Sequence, residues 1–312
     1  MKRRAQAAVL SDGRLHLNDG PIDLILFVDE DRHRRSAFDA AFARFATILD
    51  ELCAELSYLR SPSNAGRPFP RGVVARRMER ATRPLSAERF ITPMAAVAGA
   101  VADEVLAAML SAAPLRRAYV NNGGDIALHL SGGATLKVGL VSDPDNPSIF
   151  GAATLTASHG VGGVATSGWR GRSFSLGVAD AVTVLAADAA SADAAATIVA
   201  NAVDLPDHAG IVRVPANQID PQTDLEDRLV TREVGHLSES DISRALDRGE
   251  EEARRLICAG AMLAASLRLG ATTRVVGGLT ASRSEPSHLA GRPRTIGKSE
   301  EGAQWRLTSA NS

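Results

Sequence analysis

Residues 160 to 168 read Gly-Val-Gly-Gly-Val-Ala-Thr-Ser-Gly, and residues 192 to 197 read Ala-Asp-Ala-Ala-Ala-Thr. An alternating apolar run between them predicts a buried strand over residues 178–187. The second motif then predicts a helix that begins just after this strand. Asp193 and Thr197 are four residues apart and share one face of that helix. A carboxylate and a hydroxyl in this arrangement can supply oxygen ligands to Mg²⁺.

The same Asp-x-x-x-Thr pattern has a simpler interpretation. An acidic residue in the first turn of a helix interacts favourably with the helix dipole and needs no ligand to explain it. We expect Ser191 to cap this helix. The glycine-rich segment before it favours a ligand site, so both interpretations stay open.

The remaining elements follow from hydrophobic periodicity and turn residues. Ser11-Asp12-Gly13 predicts a hairpin, and residues 22–28 predict a core strand. From Ser36 onward a helical apolar stripe contains Phe42, Phe45, Leu49 and Leu52. Further predicted elements are a helix from Thr92-Pro93 to Leu110, strands over 118–120, 126–130, 135–141, 152–157 and 211–214, and a helix from Ser238 to about Leu269.

Strands grouped in the middle of the chain, with helices before and after them, predict an α+β fold. We expect one domain over residues 1–278. Residues 279–312 are rich in Ser, Arg, Pro, Gly and Glu with few apolar residues, which predicts a disordered C-terminal tail. The arginine-rich stretch 67–89 is interpreted as a solvated loop, although its arginines could also meet phosphates.

Composition narrows the classes of function. The 312 residues are 45% hydrophobic and carry a formal net charge of -1, so no overall field favours nucleic acid or an anionic membrane. Cys53 and Cys258 stand alone in apolar patterns and are expected to act as small hydrophobic residues. We identify no signal peptide and no run of about eighteen apolar residues. The chain is therefore expected to be cytoplasmic, with no nucleic-acid or membrane partner, and a homo-oligomer stays open.

Several polar residues are candidates for a ligand pocket. Asn121, Asn122 and Asp125 form a cluster at the end of a strand, with Gly123-Gly124 between them. The glycine pairs 123–124 and 162–163 suit tight turns, or close approach of the backbone to a phosphate. His159 is the only histidine close to Thr166 and Ser167, and a turn role for it is favoured over catalysis. Asp180 is either a second acidic ligand or a carboxylate at a strand edge.

The order of these segments resembles the ApbE-like superfamily, the FAD:protein FMN transferases. Three segments carry the resemblance: Val120 to Ile126 with its Asn and Gly-Gly pair, Ala165-Thr166-Ser167-Gly168, and Val182-Thr183-Val184 followed by residues 192–197. The resemblance implies a mixed or antiparallel sheet core packed with helices. It also implies Mg²⁺ held by Asp193 and Thr197, and FAD bound by Asn121, Asn122, Gly123, Gly124, Asp125, Thr166, Ser167 and Gly168.

One departure from the family pattern bears on activity. Flavin transferases of this superfamily carry a His-x-x-Asp-Pro element after the Ser-Gly turn, whereas residues 173–180 here contain neither histidine nor Asp-Pro. The chain therefore resembles an uncharacterised (UPF-type) branch, and no catalytic residue is assigned. Two functions stay open: Mg²⁺-dependent chemistry on FAD (FMN transfer or pyrophosphate cleavage) and binding of a nucleotide, flavin or pathway intermediate without catalysis. An unrelated enzyme using the same pocket is a third.

Overall fold

The structure is a computed structural model that describes residues 5–141 and 149–278. In this part of the chain there are thirteen β-strands and seven α-helices. The predicted α+β fold, an antiparallel sheet packed with helices, is confirmed. The predicted tail, residues 279–312, lies outside the described residues, so the boundary at residue 278 stays a prediction.

Nine strands form one sheet, in the order β1-β2-β3-β4-β5-β8-β9-β12-β13. Every neighbouring pair is antiparallel. Two further antiparallel hairpins, β6-β7 and β10-β11, stand apart from it. The strands are β1 Gln6–Val9, β2 Leu15–Asp19, β3 Ile22–Val28, β4 Arg117–Asn122, β5 Asp125–Leu130, β6 Thr135–Val141, β7 Ile149–Thr156, β8 Gly163–Ser167, β9 Ala181–Ala186, β10 Ile211–Pro215, β11 Leu229–Val234, β12 Ala264–Leu269 and β13 Thr272–Gly277.

Four long helices cover one face of the sheet. Along the sheet, α1 contacts β2 and β3, α4 contacts β4 and β5, α5 contacts β8 and β9, and α7 contacts β12 and β13. Short 3₁₀ turns lie at Arg83–Leu85, Pro93–Ala96 and Ala157–His159. The helices are α1 Asp31–Ala54, α2 Leu56–Leu59, α3 Val73–Thr82, α4 Val97–Ala112, α5 Ala189–Ala202, α6 Ala216–Ile219 and α7 Glu239–Cys258.

The hydrophobic core has two parts, one on each face of the sheet. The larger part lies between the sheet and the helices, and Phe45 and Leu52 of α1 are buried in it, with Phe42 and Leu49 partly buried against it. The smaller part lies on the opposite face and includes Leu155 of the β6-β7 hairpin. Both faces of β9 are therefore covered, and every residue of this strand is buried.

The last predicted helix is wrong beyond Cys258. Residues 264–269 form β12, paired with β9 and β13, instead of continuing α7. The reason is local: Gly260 adopts φ +71°, the left-handed conformation that ends many helices. Its amide donates to the Ile257 carbonyl oxygen at 2.9 Å, which closes the last turn. A buried strand without clear alternation then resembles a helix in the sequence.

Helix starts also differ from the prediction. Ser36 and Ser191 both lie inside helices, because α1 begins at Asp31 and α5 at Ala189. The cap of α5 is Asp188, whose carboxylate accepts from the Ser191 amide at 2.7 Å. The expected loop at residues 67–89 contains α3, and the expected Thr166-Ser167 turn belongs to strand β8. Cys53 and Cys258, expected to act as small hydrophobic residues, are both exposed.

One described segment, Pro93–Ala112, is long and apolar enough to cross a membrane by length and composition, with a mean hydropathy of 1.6. The segment includes Asp103 and Glu104, so it is not an uninterrupted apolar run. The segment contains α4, which contacts α1, α5, β4 and β5. Buried core helices pass the same test of composition, and α4 packs as one of them. The cytoplasmic location stays a prediction.

Candidate functional site

The site is built where α4 crosses α5. Gly99 of α4 lies directly against the first turn of α5, because a Cβ at this position would be 2.2 Å from the Ala189 carbonyl oxygen. Asp103, one turn further along α4, accepts hydrogen bonds from the amides of Ala189 at 3.0 Å and Ala190 at 2.9 Å. The close crossing and this interhelical cap hold the two helices in one relative position. The small residues of α4 are therefore explained by packing.

The crossing places Asp193 against the start of α4. Its Oδ2 accepts a hydrogen bond from the Gly99 amide at 3.0 Å, which ties α5 to α4 a second time. On the neighbouring strand β4, the Nδ2 of Asn122 donates to the Ala98 carbonyl oxygen at 3.1 Å. Asn122 and Asp193 thus meet the same turn of α4, from the sheet and from the helix layer. Asp193 does not cap its own helix, because Asp103 and Asp188 accept the amides at the start of α5. Its carboxylate instead accepts an amide in the first turn of α4.

Asp125 completes the group from the sheet. It begins β5, and its Oδ1 accepts a hydrogen bond from the Thr166 amide of β8 at 3.2 Å. Ala127, two residues on, packs into the core on the helix side, so the alternation of the strand places Asp125 on that same side. Strands β5 and β8 and helices α4 and α5 therefore converge on two carboxylates, those of Asp125 and Asp193.

The electrostatics of this pair are unusual. Burial raises the pKa of Asp125 to about 7. Burial, and then the negative charge of Asp125, hold the pKa of Asp193 well above its ordinary range. Burial also raises the pKa of Asp103 to about 6, against the opposing effect of its two backbone hydrogen bonds. Buried acids of like charge resist ionisation together unless a proton or a cation lies between them.

The donors present suit Mg²⁺ better than a metal that demands a closed protein shell. In the part of the chain that the structure describes, no group of three or more His, Cys, Asp or Glu side chains is arranged to hold a metal ion. Two carboxylates and the hydroxyl of Thr197, one turn beyond Asp193, are a smaller set of oxygen ligands. Mg²⁺ commonly binds through one or two carboxylates and keeps water or phosphate oxygens as its other ligands. The residues therefore fit this ion.

The β4-β5 turn lies next to the site and leaves open space above its glycines. Gly123 and Gly124 adopt φ +65° and +117°, the left-handed region that two-residue hairpin turns require. Asn121 stabilises the turn by accepting the Gly124 amide at 2.8 Å. A Cβ at Gly124 would meet nothing within 4 Å, whereas one at Gly123 would lie 3.5 Å from Nη1 of Arg172. An exposed arginine thus lies over a turn free of side chains.

The Thr166-Ser167-Gly168 segment contributes less than the sequence predicts. The Thr166 amide reaches Asp125, but its hydroxyl is 2.9 Å from the hydroxyl of Thr183 on β9. Val164, two residues earlier, packs under the β6-β7 hairpin, so the Thr166 hydroxyl lies on that face of the sheet, away from α5. Gly168 packs against the chain, since a Cβ there would be 2.4 Å from the Asp180 carbonyl oxygen. The Gly162-Gly163 pair likewise packs against the start of α5.

Three other candidates have structural partners. His159 accepts from the Thr156 amide at 3.2 Å within a capping box, as the turn interpretation expects. Asp180 accepts from Trp169, Arg170 and the Gly270 amide, which joins a loop to the β12-β13 turn. Arg67 donates to backbone carbonyls and stacks on Tyr58, and Arg77 pairs with Glu104 at 2.9 Å. None of these contacts assigns a ligand role.

Sequence reasoning missed Asp103, Gly99 and Arg172 as neighbours of the site. Asp103 and Gly99 are one helical turn apart in an alanine-rich helix, which is a signal for a close crossing stabilised by a polar contact. Arg172 lies in a loop and has no local pattern that could have identified it.

The chain belongs to the bacterial family described as AbpE bacteria, an ApbE-related family whose model matches residues 7–277. This covers the sheet, all the helices and the carboxylate pair. The family assignment confirms the coarser part of the resemblance, an ApbE-related family.

Archaeal relatives are similar over a shorter stretch. A UPF0280 protein of Methanopyrus kandleri is 41% identical over 128 residues, which is 41% of this chain and 48% of that protein. A UPF0280 protein of Methanoregula boonei is 35% identical over 135 residues, covering 43% and 56%. One of Methanothermobacter thermautotrophicus is 38% identical over 137 residues, covering 43% and 50%. The chain spans about half the length of the curated relatives it matches.

Proposed function

We propose that the protein binds a flavin nucleotide, FAD, through its pyrophosphate and with Mg²⁺, and cleaves the pyrophosphate or transfers FMN. The proposal rests on one observation: Asp125 and Asp193 are brought together as half-buried side chains, and none of the described ion pairs gives either of them a basic partner. Their pKa values favour a shared proton or a cation. The ApbE-related family and the fit of the donors to Mg²⁺ favour the cation.

The residues around the pair suit a phosphate-bearing ligand. Asp193, Asp125 and Thr197 would hold the ion, and bound Mg²⁺ would neutralise phosphate charge and polarise the bond to be broken. The Gly123-Gly124 turn leaves room for phosphate oxygens to approach the backbone. Arg172 can donate to the same oxygens, since its guanidinium lies over Gly123. The ligand would thus lie between the β4-β5 turn and α5.

A second candidate function is binding without catalysis, of a nucleotide, flavin or pathway intermediate. Two observations favour it: His159 is used in a capping box, and residues 173–180 lack the His-x-x-Asp-Pro element. The carboxylate pair would then serve affinity alone.

Isothermal titration of FAD with and without Mg²⁺ tests the binding step, and chromatography of FAD, FMN and AMP after incubation tests cleavage. We expect FAD to bind in Mg²⁺ and much more weakly in EDTA. Asp125→Asn and Asp193→Asn should each abolish the Mg²⁺ effect, whereas Asp39→Asn, which removes a carboxylate from the exposed side of α1, should not.

The outcomes separate the candidates. FAD that is bound but recovered intact supports the binding function. FAD converted to FMN and AMP, or to protein-linked FMN seen as an added mass, supports the enzyme. Absence of Mg²⁺ binding by the wild-type protein, with and without FAD, contradicts the metal-dependent proposal.

A further inference from the structure

A separate cleft of about 400 Å³ lies at the C-terminal end of α5. Its walls come from four parts of the chain: the segment before α4, the loop between β8 and β9, the end of α5, and the β10-β11 hairpin with its connecting loop. Asn201 stands two helical turns beyond Asp193, which is about 12 Å along the helix axis. The polar and ring-bearing lining residues are Arg89, Phe90, Asn201, Asp204, Arg213 and Arg228.

The cleft is lined by more arginines than carboxylates: Arg89, Arg213 and Arg228 against Asp204. Arg213 pairs with Asp204, and Arg89 pairs with Glu252 at 3.0 Å. An adjoining cleft of about 500 Å³ shares four lining residues with it and adds Arg248, Arg255 and three glutamates. The two clefts together contain five arginines and four carboxylates. Among the described contacts, Arg228 and Arg248 have no carboxylate partner, and Arg248 donates to the Asp204 carbonyl oxygen at 3.2 Å. Arg248 lines only the adjoining cleft, so Arg228 is the arginine of the first cleft without a carboxylate partner in the described residues.

Arg228 is held in place without an ionic partner. Its guanidinium stacks on the Phe90 ring at 3.4 Å from the ring centre, and Nη1 donates to the Leu225 carbonyl oxygen at 3.3 Å. Its backbone is bonded on both sides, from its own amide to Leu225 and from the Ala216 amide to its carbonyl oxygen. A half-buried cation has lost part of its hydration, which costs free energy unless an anion compensates. Stacking on Phe90 uses the face of the guanidinium, so the in-plane N–H groups other than the one bonded to Leu225 can still form a fork.

We propose that this cleft binds a small organic molecule with a ring and a single oxyanion group, a carboxylate or a phosphate, and that Arg228 is the main contact of the oxyanion. The side chains of Leu176, Ile198 and Leu229 form an apolar wall for the ring. The volume is that of ordinary small-molecule pockets. Phe90 is a positioning residue, because it contacts the guanidinium and holds its plane. The site is distinct from the carboxylate pair and does not depend on Mg²⁺.

The test uses three anions, each beside its uncharged counterpart: FMN with riboflavin, AMP with adenosine, and nicotinate with nicotinamide. Isothermal titration of the full chain in EDTA excludes the metal-dependent site. We expect at least one anion to bind about tenfold or more tightly than its counterpart. Which pair shows the preference identifies a phosphate or a carboxylate ligand.

The matched variants are Arg228→Gln and Arg232→Gln, which remove the same charge from the same hairpin. Arg232 is exposed on β11 and does not line the cleft. Arg228→Gln should abolish the preference for the anion, and Arg232→Gln should change it less than about twofold, since distant surface charges are screened. Arg228→Lys keeps the charge but loses the fork, so an intermediate loss is expected. It replaces Arg228→Gln in the comparison if that variant fails to fold by circular dichroism.

Three results would overturn the proposal. The first is no preference for any of the three anions. The second is an equal loss in Arg228→Gln and Arg232→Gln. The third is a preference that appears only with Mg²⁺ and disappears in Asp193→Asn, which would assign the anion to the carboxylate pair. If FAD does not bind at the carboxylate pair, the titrations of the three anion pairs in EDTA are unaffected. The two proposals can therefore fail separately.

Discussion

Asp125 and Asp193 each accept a hydrogen bond from a backbone amide, Thr166 and Gly99 respectively, and the described ion pairs give neither of them an arginine or lysine. Two half-buried acids held this way repel each other when both are ionised and no cation is bound. Replacement of one by a neutral amide keeps a hydrogen-bond acceptor and removes the repulsion. The energetic effect therefore has opposite signs with and without metal.

Asp193→Asn is expected to raise the free energy of unfolding by about 1 kcal/mol in EDTA, since one buried charge is removed. In Mg²⁺ the same variant should lose most of the metal-dependent stabilisation, with affinity at least about tenfold weaker. Thr197→Val should weaken the affinity less, because a hydroxyl offers a dipole and not a full charge. Thermal melts beside isothermal titration measure both effects. A stability loss of about 1 kcal/mol in EDTA with unchanged metal affinity would assign Asp193 to capping the first turn of α4 and not to a metal.

The raised pKa of Asp125, about 7, predicts a pH dependence. The carboxyl of Asp125 releases its proton near pH 4 in the unfolded chain and only near pH 7 in the folded protein. The free energy of unfolding should therefore fall as the pH is raised from about 4 to about 7. Mg²⁺ needs the deprotonated form of Asp125, so its affinity should rise as the pH passes the folded pKa, by about tenfold from pH 6 to pH 8. Urea denaturation in EDTA at several pH values measures the first effect and titration the second. Asp125→Asn should flatten both curves, and an unchanged pH profile in this variant would assign the effect to another group.

Among the secondary-structure elements, the contact that organises the site is the crossing of α4 and α5. It depends on Gly99, on the interhelical hydrogen bonds of Asp103, and on the bond from the Gly99 amide to Asp193. Local helix propensity opposes a glycine here, so its presence is explained by the close approach of two backbones.

Gly99→Ala is expected to destabilise the protein by about 2 kcal/mol or more, although alanine is the better helix former. The added Cβ would lie 2.2 Å from the Ala189 carbonyl oxygen, so the helices must separate. Equilibrium denaturation in urea measures the change. Gly66→Ala is the control, because its Cβ would have only an ordinary contact at 3.8 Å. Equal stability of the two variants would show that the crossing tolerates a wider spacing.

The start of α5 allows a direct comparison of two caps. Asp188→Ala should lower the free energy of unfolding by about 1 kcal/mol, because the Ser191 amide loses its acceptor at 2.7 Å. Ser191→Ala should change it by less than about 0.5 kcal/mol, since Ser191 lies inside the helix. Thermal melts of both variants measure the difference. A larger loss in Ser191→Ala would support the cap assignment made from the sequence.

At the scale of the whole molecule, one nine-stranded sheet separates two hydrophobic cores. Strands β8 and β9 contribute side chains to both, so the two cores share a backbone. Loss of packing on one face is therefore transmitted to the other through the same strands. We expect the described fold to unfold as one cooperative unit.

Leu155→Ala tests this unity from the smaller core. Leu155 is fully buried on the β6-β7 hairpin, and its truncation should cost about 2–4 kcal/mol. If the cores are coupled, tryptophan fluorescence and far-UV circular dichroism should shift together in urea. Val212→Ala, at a residue 47% exposed on β10, is the control and should change little. Separate transitions for the two probes would show that the hairpin face unfolds on its own.

Sequence periodicity by itself determined the elements whose signals are local. The first hairpin, strand β3, the apolar face of α1 and strands β4 to β7 follow from alternation, helical spacing and turn residues within a few positions. The placement of Asp193 and Thr197 on one face of a helix follows from the same spacing. Asn122, Asp125 and Thr166 lie around the carboxylate pair, and the superfamily resemblance had already named all three as candidate ligand-binding residues.

Only the tertiary structure decided what those residues do in space. Strand β12 is buried on both sides and lacks alternation, so the sequence could not separate it from the end of α7. The order of the sheet places β5 beside β8, and that pairing brings the Thr166 amide, but not its hydroxyl, to Asp125. The crossing at Gly99 brings Asp193 to the same point. Contacts between distant segments depend on packing and sheet order, which no local pattern encodes, and these contacts produce the raised pKa values of the pair.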